Sequence, residues 1–357
     1  MRLVIIAAIT LVALGAAHGE SPKARPACAF DLPLSPAQCA RLESGTHAGG
    51  SWMSRSTGTL LYTSQPFLSA VDIWSVTKKG FKQTGQLSVG AGNIPLGLTV
   101  DASQNLYVAI STFGSGTSSV DVFPRGATKP SAVYTSGLSG PIDVAVDGNG
   151  TLYVANLKNP GGGGCGQGSG PGGSVVEYDA GSMTPSRTIA GFPGCPNGIA
   201  ADSSGNAYLT YLYYPASGFV QSDVIEYPNK STSGTPLGLQ VPGGPDLGGI
   251  KVASNGDLLV ENAQDDATLN QILTFPHGST SPSNTIQYPG VGWGTGFKYF
   301  ALMGNRIFAP AYVAPNFLYV ATTPAEFAYP SGRELKVQGK LSSTVPFAYG
   351  FAISPGR

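Results

Sequence analysis

Residues 141–156 read "PIDVAVDGNGTLYVAN", two alternating segments joined by a short polar one. Apolar side chains occupy every second position on both sides of the join, at Val144, Val146, Leu152 and Val154. The join, Asp147–Gly150, contains two glycines and an asparagine, which tolerate the backbone conformations of tight hairpin turns. This stretch therefore predicts a β-hairpin.

The same pattern recurs along the chain. Further copies cover residues 95–109, 196–210, 247–261 and 295–309. One aligned column steps by 46, 55, 51 and 48 residues and contains Asp101, Asp147, Asp202, Ala253 and Ala301. A hairpin that recurs every 40–50 residues is typical of β-propeller blades.

Two further strands follow each hairpin, and the chain ends supply a last blade. Third strands include "SSVDVFP" at residues 118–124, and a turn containing Pro precedes each fourth strand. Residues 349–356 resemble a first strand without a second, whereas residues 58–64 resemble a second strand without a first. The sequence thus predicts an all-β fold, a six-bladed β-propeller of four-stranded antiparallel blades whose ring is closed by pairing of the N- and C-terminal strands.

The first residues are interpreted as a targeting segment. Residues 1–19 combine a positive start, an apolar run and small residues, which is the layout of a secretory signal peptide. No Cys follows the run directly, and no later segment is long and apolar enough to span a membrane. We interpret residues 20–57 as an extension and linker and residues 58–357 as the propeller, and we expect a secreted or periplasmic protein.

The amino-acid composition restricts the classes of molecule that the protein could bind. Only 11% of the residues are charged and the formal net charge is zero. Such a surface offers no electrostatic attraction for nucleic acid or for an acidic membrane. We expect a monomer that binds a small molecule, a glycan or a protein, without nucleic acid and without membrane insertion.

The four cysteines are expected to form disulfides, because an even number in an exported protein favours that state over metal binding. Cys28 and Cys39 lie close together in the N-terminal extension, where a bond would form a local clip. Cys165 and Cys195 are the other natural pair, although four cysteines allow three connectivities.

The repeat resembles those of known propellers. Its pattern of Gly-[Leu/Ile]-x-x-Asp-x-x-Gly-Asn-x-Tyr-Val followed by Val-x-[Val/Glu]-[Phe/Tyr] is similar to the NHL repeats and, more loosely, to the six-bladed SMP-30/gluconolactonase/strictosidine-synthase-like superfamily. The resemblance covers Gly58 to Gly356 and specifies architecture more strongly than activity.

The resemblance also implies a metal site. In SMP-30-like enzymes an Asn-Gly at the start of an innermost strand presents its Asn to a divalent cation, and Asn197 in "CPNGIA" would take that role. Oxygen ligands suit Ca²⁺, and the other oxygen carriers near the same rim are Asp143, Asn156, Asp246, Glu261 and Asn262. This chain lacks the Glu-Gly-Pro segment of that family, and Pro-Asn-Gly alone also makes a turn.

Loop lengths point to one working face. Turns between first and second strands are short and uniform, whereas connections between second and third strands are long and varied, as in residues 157–173 and 211–221. We therefore expect binding on the variable-loop face. Its aromatic residues could stack on a ligand or fill the space between blades; they are Tyr211, Tyr213, Tyr214, Phe219 and Trp293.

The sequence offers little support for nucleophilic catalysis. The only histidines after the signal peptide are His47 and His277, and neither lies beside a nucleophile and an acid in the expected fold. The leading hypothesis is a ligand- or partner-binding propeller, the alternative is a Ca²⁺-dependent hydrolase or lactonase, and a purely structural surface protein is the third. No catalytic residue is assigned, and whether the protein is an enzyme stays open.

Overall fold

A computed structural model of the chain describes residues 51–53, 57–112, 117–157, 172–191, 193–213, 221–242, 246–263, 270–287, 300–312, 322–337 and 349–356. These residues form six antiparallel sheets, the blades of a β-propeller. The prediction of an all-β, six-bladed ring is confirmed.

Blades 1 to 3 have the following strands. Blade 1 contains, from its outer to its inner edge, β1 (Trp52–Met53), β4 (Gly80–Ser88), β3 (Ala70–Thr77), β2 (Leu60–Gln65) and β25 (Phe351–Ser354). Blade 2 contains, from inner to outer, β5 (Asn93–Val100), β6 (Leu106–Thr112), β7 (Ser119–Phe123) and β8 (Ala132–Tyr134). Blade 3 contains β9 (Pro141–Val146), β10 (Leu152–Asn156), β11 (Ser174–Tyr178) and β12 (Arg187–Ala190). A 3₁₀ turn, Pro66–Leu68, joins β2 to β3.

Blades 4 to 6 repeat the order from inner to outer edge. Blade 4 contains β13 (Cys195–Ala201), β14 (Ala207–Tyr213), β15 (Gln221–Tyr227) and β16 (Thr235–Pro236). Blade 5 contains β17 (Leu247–Val252), β18 (Leu258–Ala263), β19 (Asn270–Phe275) and β20 (Asn284–Gln287). Blade 6 contains β21 (Ala301–Met303), β22 (Arg306–Tyr312), β23 (Thr322–Ala328) and β24 (Glu334–Val337).

The hydrophobic core is divided among the blade interfaces. Six clusters of buried apolar residues each join two adjacent blades, and together they run around the whole ring. The cluster between blades 6 and 1, for example, contains Phe308 from one blade and Trp74 and Phe351 from the other. Because each blade is covered on both faces, both alternating sets of its strand residues are buried, which stabilises the stack by removing apolar surface from water.

The two ends of the chain meet in blade 1. β25 pairs with β2, so that Leu60 lies opposite Ser354 and Thr63 opposite Phe351. The guanidinium of Arg125, from blade 2, donates hydrogen bonds to the Ser354 hydroxyl and to the main-chain oxygens of Pro355 and Gly58. Ring closure by terminal strands therefore holds as predicted, with an arginine clasp in addition.

The structure adds a fifth strand to blade 1. Trp52–Met53, within the predicted linker, pairs with the outer strand β4. Residues 1–50 lie outside the described residues, so the signal peptide and the Cys28–Cys39 clip stay predictions. No helix in the described parts of the chain is long and apolar enough to cross a membrane.

The uniform turns are built on the aspartate of the repeat. In blade 3 the Asp147 carboxylate accepts hydrogen bonds from the main-chain N–H groups of Asn149 and Thr151, at 2.8 and 2.9 Å. Asp101 and Asp202 make the equivalent bond to the residue four positions later. The alignment of Ala301 with this column is wrong, because blade 6 has a shorter turn at Gly304–Asn305 and Ala301 lies within β21, opposite Phe308.

Candidate functional site

The innermost strands of blades 2 to 5 share a β-bulge near their first residues. In blade 4, Pro196 pairs with Tyr211 and Gly198 with Thr210, which leaves Asn197 without an opposing residue. The same shift of register occurs in β5, β9 and β17. A bulge releases main-chain groups from the ladder and turns a side chain in a new direction.

These bulges lie at the mouth of the central channel on the variable-loop face. They stand beside the ends of the second strands, from which the long connections start, such as residues 157–173 after Asn156. The uniform turns, such as Asp147–Thr151, lie at the opposite ends of the same strands.

A ring of glycines follows the bulges, and Asp143 interrupts it. Gly97, Gly198, Gly249 and Gly350 each come directly before a fully buried apolar residue (Leu98, Ile199, Ile250 and Phe351), and Asp143 has the same place before Val144 in blade 3. A Cβ atom on Gly198 would lie 2.6 Å from the Gly248 oxygen, and one on Gly97 would collide with the Asp143 side chain. Only glycine allows the inner strands to approach this closely, so a carboxyl group here is an exception to the architecture.

The Asp143 carboxyl group is fully buried between blades 3 and 4. Its Oδ2 accepts a hydrogen bond from the Ile199 main-chain N–H at 2.9 Å, whereas Oδ1 has no hydrogen-bond partner among the described residues. Burial raises the pKa of Asp143 to about 6, and this rise is opposed by the charge of Lys251 and by the N–H groups of Ile199 and Val144. The structure thus holds, beside the channel mouth, a buried carboxyl group with one oxygen that has no hydrogen-bond partner among the described residues.

Asn197 links blade 4 to blade 5. Its side chain is 2% exposed, and its Nδ2 donates a hydrogen bond to the Leu247 oxygen at 2.5 Å. The next residue, Gly198, donates its N–H to the Thr210 hydroxyl at 2.7 Å, and that hydroxyl donates in turn to the Gly248 oxygen. The bulge therefore turns the Asn197 amide towards blade 5. Asn197 thus connects two blades and does not merely form a turn into the strand.

The other oxygen carriers have separate local roles. Asn156 holds the link into its own blade, since its Oδ1 accepts from the Ser139 N–H and its Nδ2 donates to the Gly137 oxygen. Asn262 accepts a hydrogen bond at Oδ1 from the Asp246 N–H at 2.9 Å, which fixes the start of β17. Glu261 is buried in the adjacent position of β18.

Hydrogen bonds thus connect four of the six proposed ligands, directly or through neighbouring residues, across blades 3 to 5. Asp143 contacts the strand of Asn197, Asn197 contacts the residue after Asp246, and Asp246 contacts Asn262. Within the described residues there is no group of three or more His, Cys, Asp or Glu side chains that could hold a metal ion. A cation here would bind at most two carboxylates together with amide and main-chain oxygens.

The predicted aromatic rim is described only in part. Tyr211 and Tyr213 lie in β14 and are half-buried, and Tyr211 packs against the cluster between blades 3 and 4. Burial is the main cause of a raised pKa at Tyr211. Tyr214, Phe219 and Trp293 lie outside the described residues, so the stacking platform stays a prediction.

Of the remaining predicted residues, the structure describes Cys195 and His277 but not Cys165 and His47. Cys195 begins β13 at the variable-loop face, but Cys165 is outside the described residues and their bond stays a prediction. His277 lies in an exposed turn, where its N–H donates to the Asp257 carboxylate. His47 is also outside the described residues.

Lys251 and Thr99 were missed by sequence reasoning. They line a cavity of about 150 Å³ in the channel, together with small and aliphatic residues of β9, β13 and β17. The signal was present in the repeat, because Lys251 stands where other copies have Ala145 and Ala200.

Comparison with known proteins identifies the fold alone. No protein-family model matches the chain, and no curated protein sequence matches it. A Bacteroides caccae protein of unknown function is similar in structure, with a TM-score of 0.55 and 11% identity over 83% of this chain and 98% of that one. A presumptive gluconolactonase aligns with a TM-score of 0.45 and 15% identity over 73% of this chain and 89% of that one. Since 648 solved chains match, the likeness indicates a widespread architecture.

Proposed function

We propose that the protein binds a polar ligand at the channel mouth on its variable-loop face. The observation that carries this proposal is the buried Asp143 carboxyl, which replaces a glycine in the inner ring and leaves one oxygen without a hydrogen bond. A buried polar atom without a partner costs roughly 1–3 kcal/mol. A residue that lowers stability in this way is better explained by a contact with a ligand than by folding.

The nearby groups favour a hydroxylated ligand, such as a glycan or sugar-like small molecule. Asp143 Oδ1 lacks a donor and Asn262 Nδ2 lacks an acceptor among the described residues. A hydroxyl group both donates and accepts, so a polyhydroxylated molecule could satisfy both atoms. The predicted aromatic residues of the rim would supply the apolar faces that sugar rings stack on.

An array of immobilised glycans, probed with the purified chain, tests this proposal. We expect Tyr213→Ala/Tyr214→Ala/Trp293→Ala to abolish the binding seen for the unmodified protein. His277→Ala, on the opposite face, is the matched control and should bind normally. Unchanged binding by the triple variant would reject the rim, and an absence of any ligand would favour a purely structural role.

A Ca²⁺-dependent hydrolase or lactonase is the second candidate. It is favoured by the position of Asn197 at a bulge next to the strand of Asp143, where amide and carboxyl oxygens of the kind that bind Ca²⁺ lie in adjacent blades. A bound cation would polarise a carbonyl group, while the residues of the mouth orient the substrate.

The melting temperature in EDTA and in millimolar Ca²⁺ tests this second candidate. A cation at about a hundredfold excess over its Kd stabilises the folded state by about 2.7 kcal/mol. We expect the shift to disappear in Asn197→Ala, and lactone or ester hydrolysis to disappear with it. Equal melting temperatures in both buffers would count against a metal-dependent enzyme.

A further inference from the structure

The channel holds a second polar site, nearer the uniform-turn face. The cavity of about 150 Å³ lies against Val146, Ala201 and Val252, each of which directly precedes a uniform turn. It is therefore displaced along the channel from Asn197 and the bulges, which lie at the other ends of these strands.

One charged residue, Lys251, lines this cavity. Lys251 has the place that Ala145 and Ala200 have in neighbouring blades, and it is half-buried. No acidic side chain in the described parts of the chain forms an ion pair with it. Its charge acts on Asp143 across the channel, but that carboxyl group lies on the side of the variable loops.

The walls offer hydrogen bonds as well as this charge. β5, β9, β13 and β17 are the inner edges of their sheets, so their channel-side N–H and C=O groups have no partner strand. Thr99 adds a hydroxyl group, and the remaining side chains are small or aliphatic. One ammonium group matches the single charge of a monocarboxylate better than the two charges of a phosphate dianion. Asp143 repels either anion, and it repels the dianion more strongly.

The size of the cavity limits the ligand further. A cavity of roughly this volume admits a molecule of the size of benzene. From the single ammonium group, the main-chain donors and this volume, we infer that the lower channel binds a small monocarboxylate of two to four carbon atoms, with its carboxylate on Lys251 and Thr99. This site adjoins the proposed ligand site, because Ile199 lines the cavity and donates its main-chain N–H to Asp143, but its own ligand groups are Lys251 and Thr99 and it does not depend on that proposal.

Ligand-observed NMR with saturation transfer tests the site. The probes are acetate, propanoate and 2-hydroxypropanoate, with propanamide as the neutral analogue of similar shape. We expect saturable binding of the carboxylates and none of the amide. Lys251→Met keeps most of the side-chain length and removes the charge, and it should weaken binding about ten- to a hundredfold, as expected for loss of a hydrogen bond to a charged group.

Two further variants separate the cavity from general charge effects. Lys78→Met removes an exposed lysine from a turn on the same face and should leave binding unchanged. Thr99→Val keeps the side-chain shape and removes the hydroxyl group while Lys251 keeps its charge, and it should weaken binding. The inference is overturned if no carboxylate binds to the unmodified protein, or if Lys251→Met binds as well as Lys78→Met does.

Discussion

Asp143 shows how one residue can conflict with the architecture around it. Four other innermost strands have glycine at its position, and its carboxyl group is buried, with the Ile199 main-chain N–H donating to Oδ2 at 2.9 Å. Burial raises its pKa to about 6 from the ordinary 3.8. The folded state therefore holds the Asp143 proton more tightly than the unfolded state does.

The stability of the protein should depend on pH through Asp143. Because the pKa is raised on folding, the contribution of this residue to stability falls as the pH rises from about 4 to about 6, by roughly 3 kcal/mol. Asp143→Asn removes the ionisation. We expect the stability of Asp143→Asn relative to the unmodified protein to increase over this range, as measured by urea unfolding at pH 4 and pH 7; a constant difference would contradict the raised pKa.

At the level of strands, the bulges and glycines bring innermost strands into close contact. The backbone of Gly97 in β5 lies against Asp143 in β9, and a Cβ atom there would be 2.5 Å from the Asp143 Cα. The neighbouring atom belongs to the backbone, so a small side-chain movement cannot relieve the contact.

Gly97→Ala should therefore be strongly destabilising. Overpacking of a buried site costs roughly 1–3 kcal/mol, and more when backbone must move. Gly148→Ala is the matched control, because a Cβ there would lie 3.8 Å from its nearest neighbour in an exposed turn. Urea unfolding should separate the two variants by at least about 1 kcal/mol, and equal stabilities would show that β5 and β9 can move apart.

The repeat predicted the strands well because each hairpin carries its own alternation and turn. The bulges were not predictable, since an extra residue such as Ile142 or Asn197 leaves the apolar pattern on either side intact. Trp52–Met53 was missed because two residues show no periodicity, and its pairing with β4 depends on contacts distant in sequence. Asn197 was named from the resemblance to SMP-30-like enzymes and Asp143 as an oxygen carrier near the same rim, but their partners depend on the packing between blades.

At the scale of the whole molecule, closure of the ring depends on blade 1. Every other blade is continuous in sequence, whereas this one joins strands from opposite ends of the chain. Four paired positions link β2 to β25, and the cluster around Phe351 and Phe308 joins the closed blade to blade 6. Arg125 connects both ends of the chain to blade 2.

Removal of the arginine clasp should weaken this closure. Arg125→Ala loses hydrogen bonds to Gly58, Ser354 and Pro355, and we expect a loss of about 2 kcal/mol in urea unfolding. Arg125→Lys keeps the charge but not the planar fork, so it should recover only part of the loss. Arg333→Ala removes an exposed arginine from blade 6 and should be nearly neutral; equal effects of the two alanine variants would show that the clasp does not contribute.

The pairing of Leu60 with Ser354 also sets the response of the ring to mechanical force. These residues begin β2 and end β25, so both strands leave blade 1 at the same end of their ladder. Tension applied at Gly58 and Pro355 would load the ladder one hydrogen bond at a time, as in a zipper, instead of shearing all four positions together. Arg125 holds the point where that peeling would start, so the same side chain that closes the propeller is the first to bear the load.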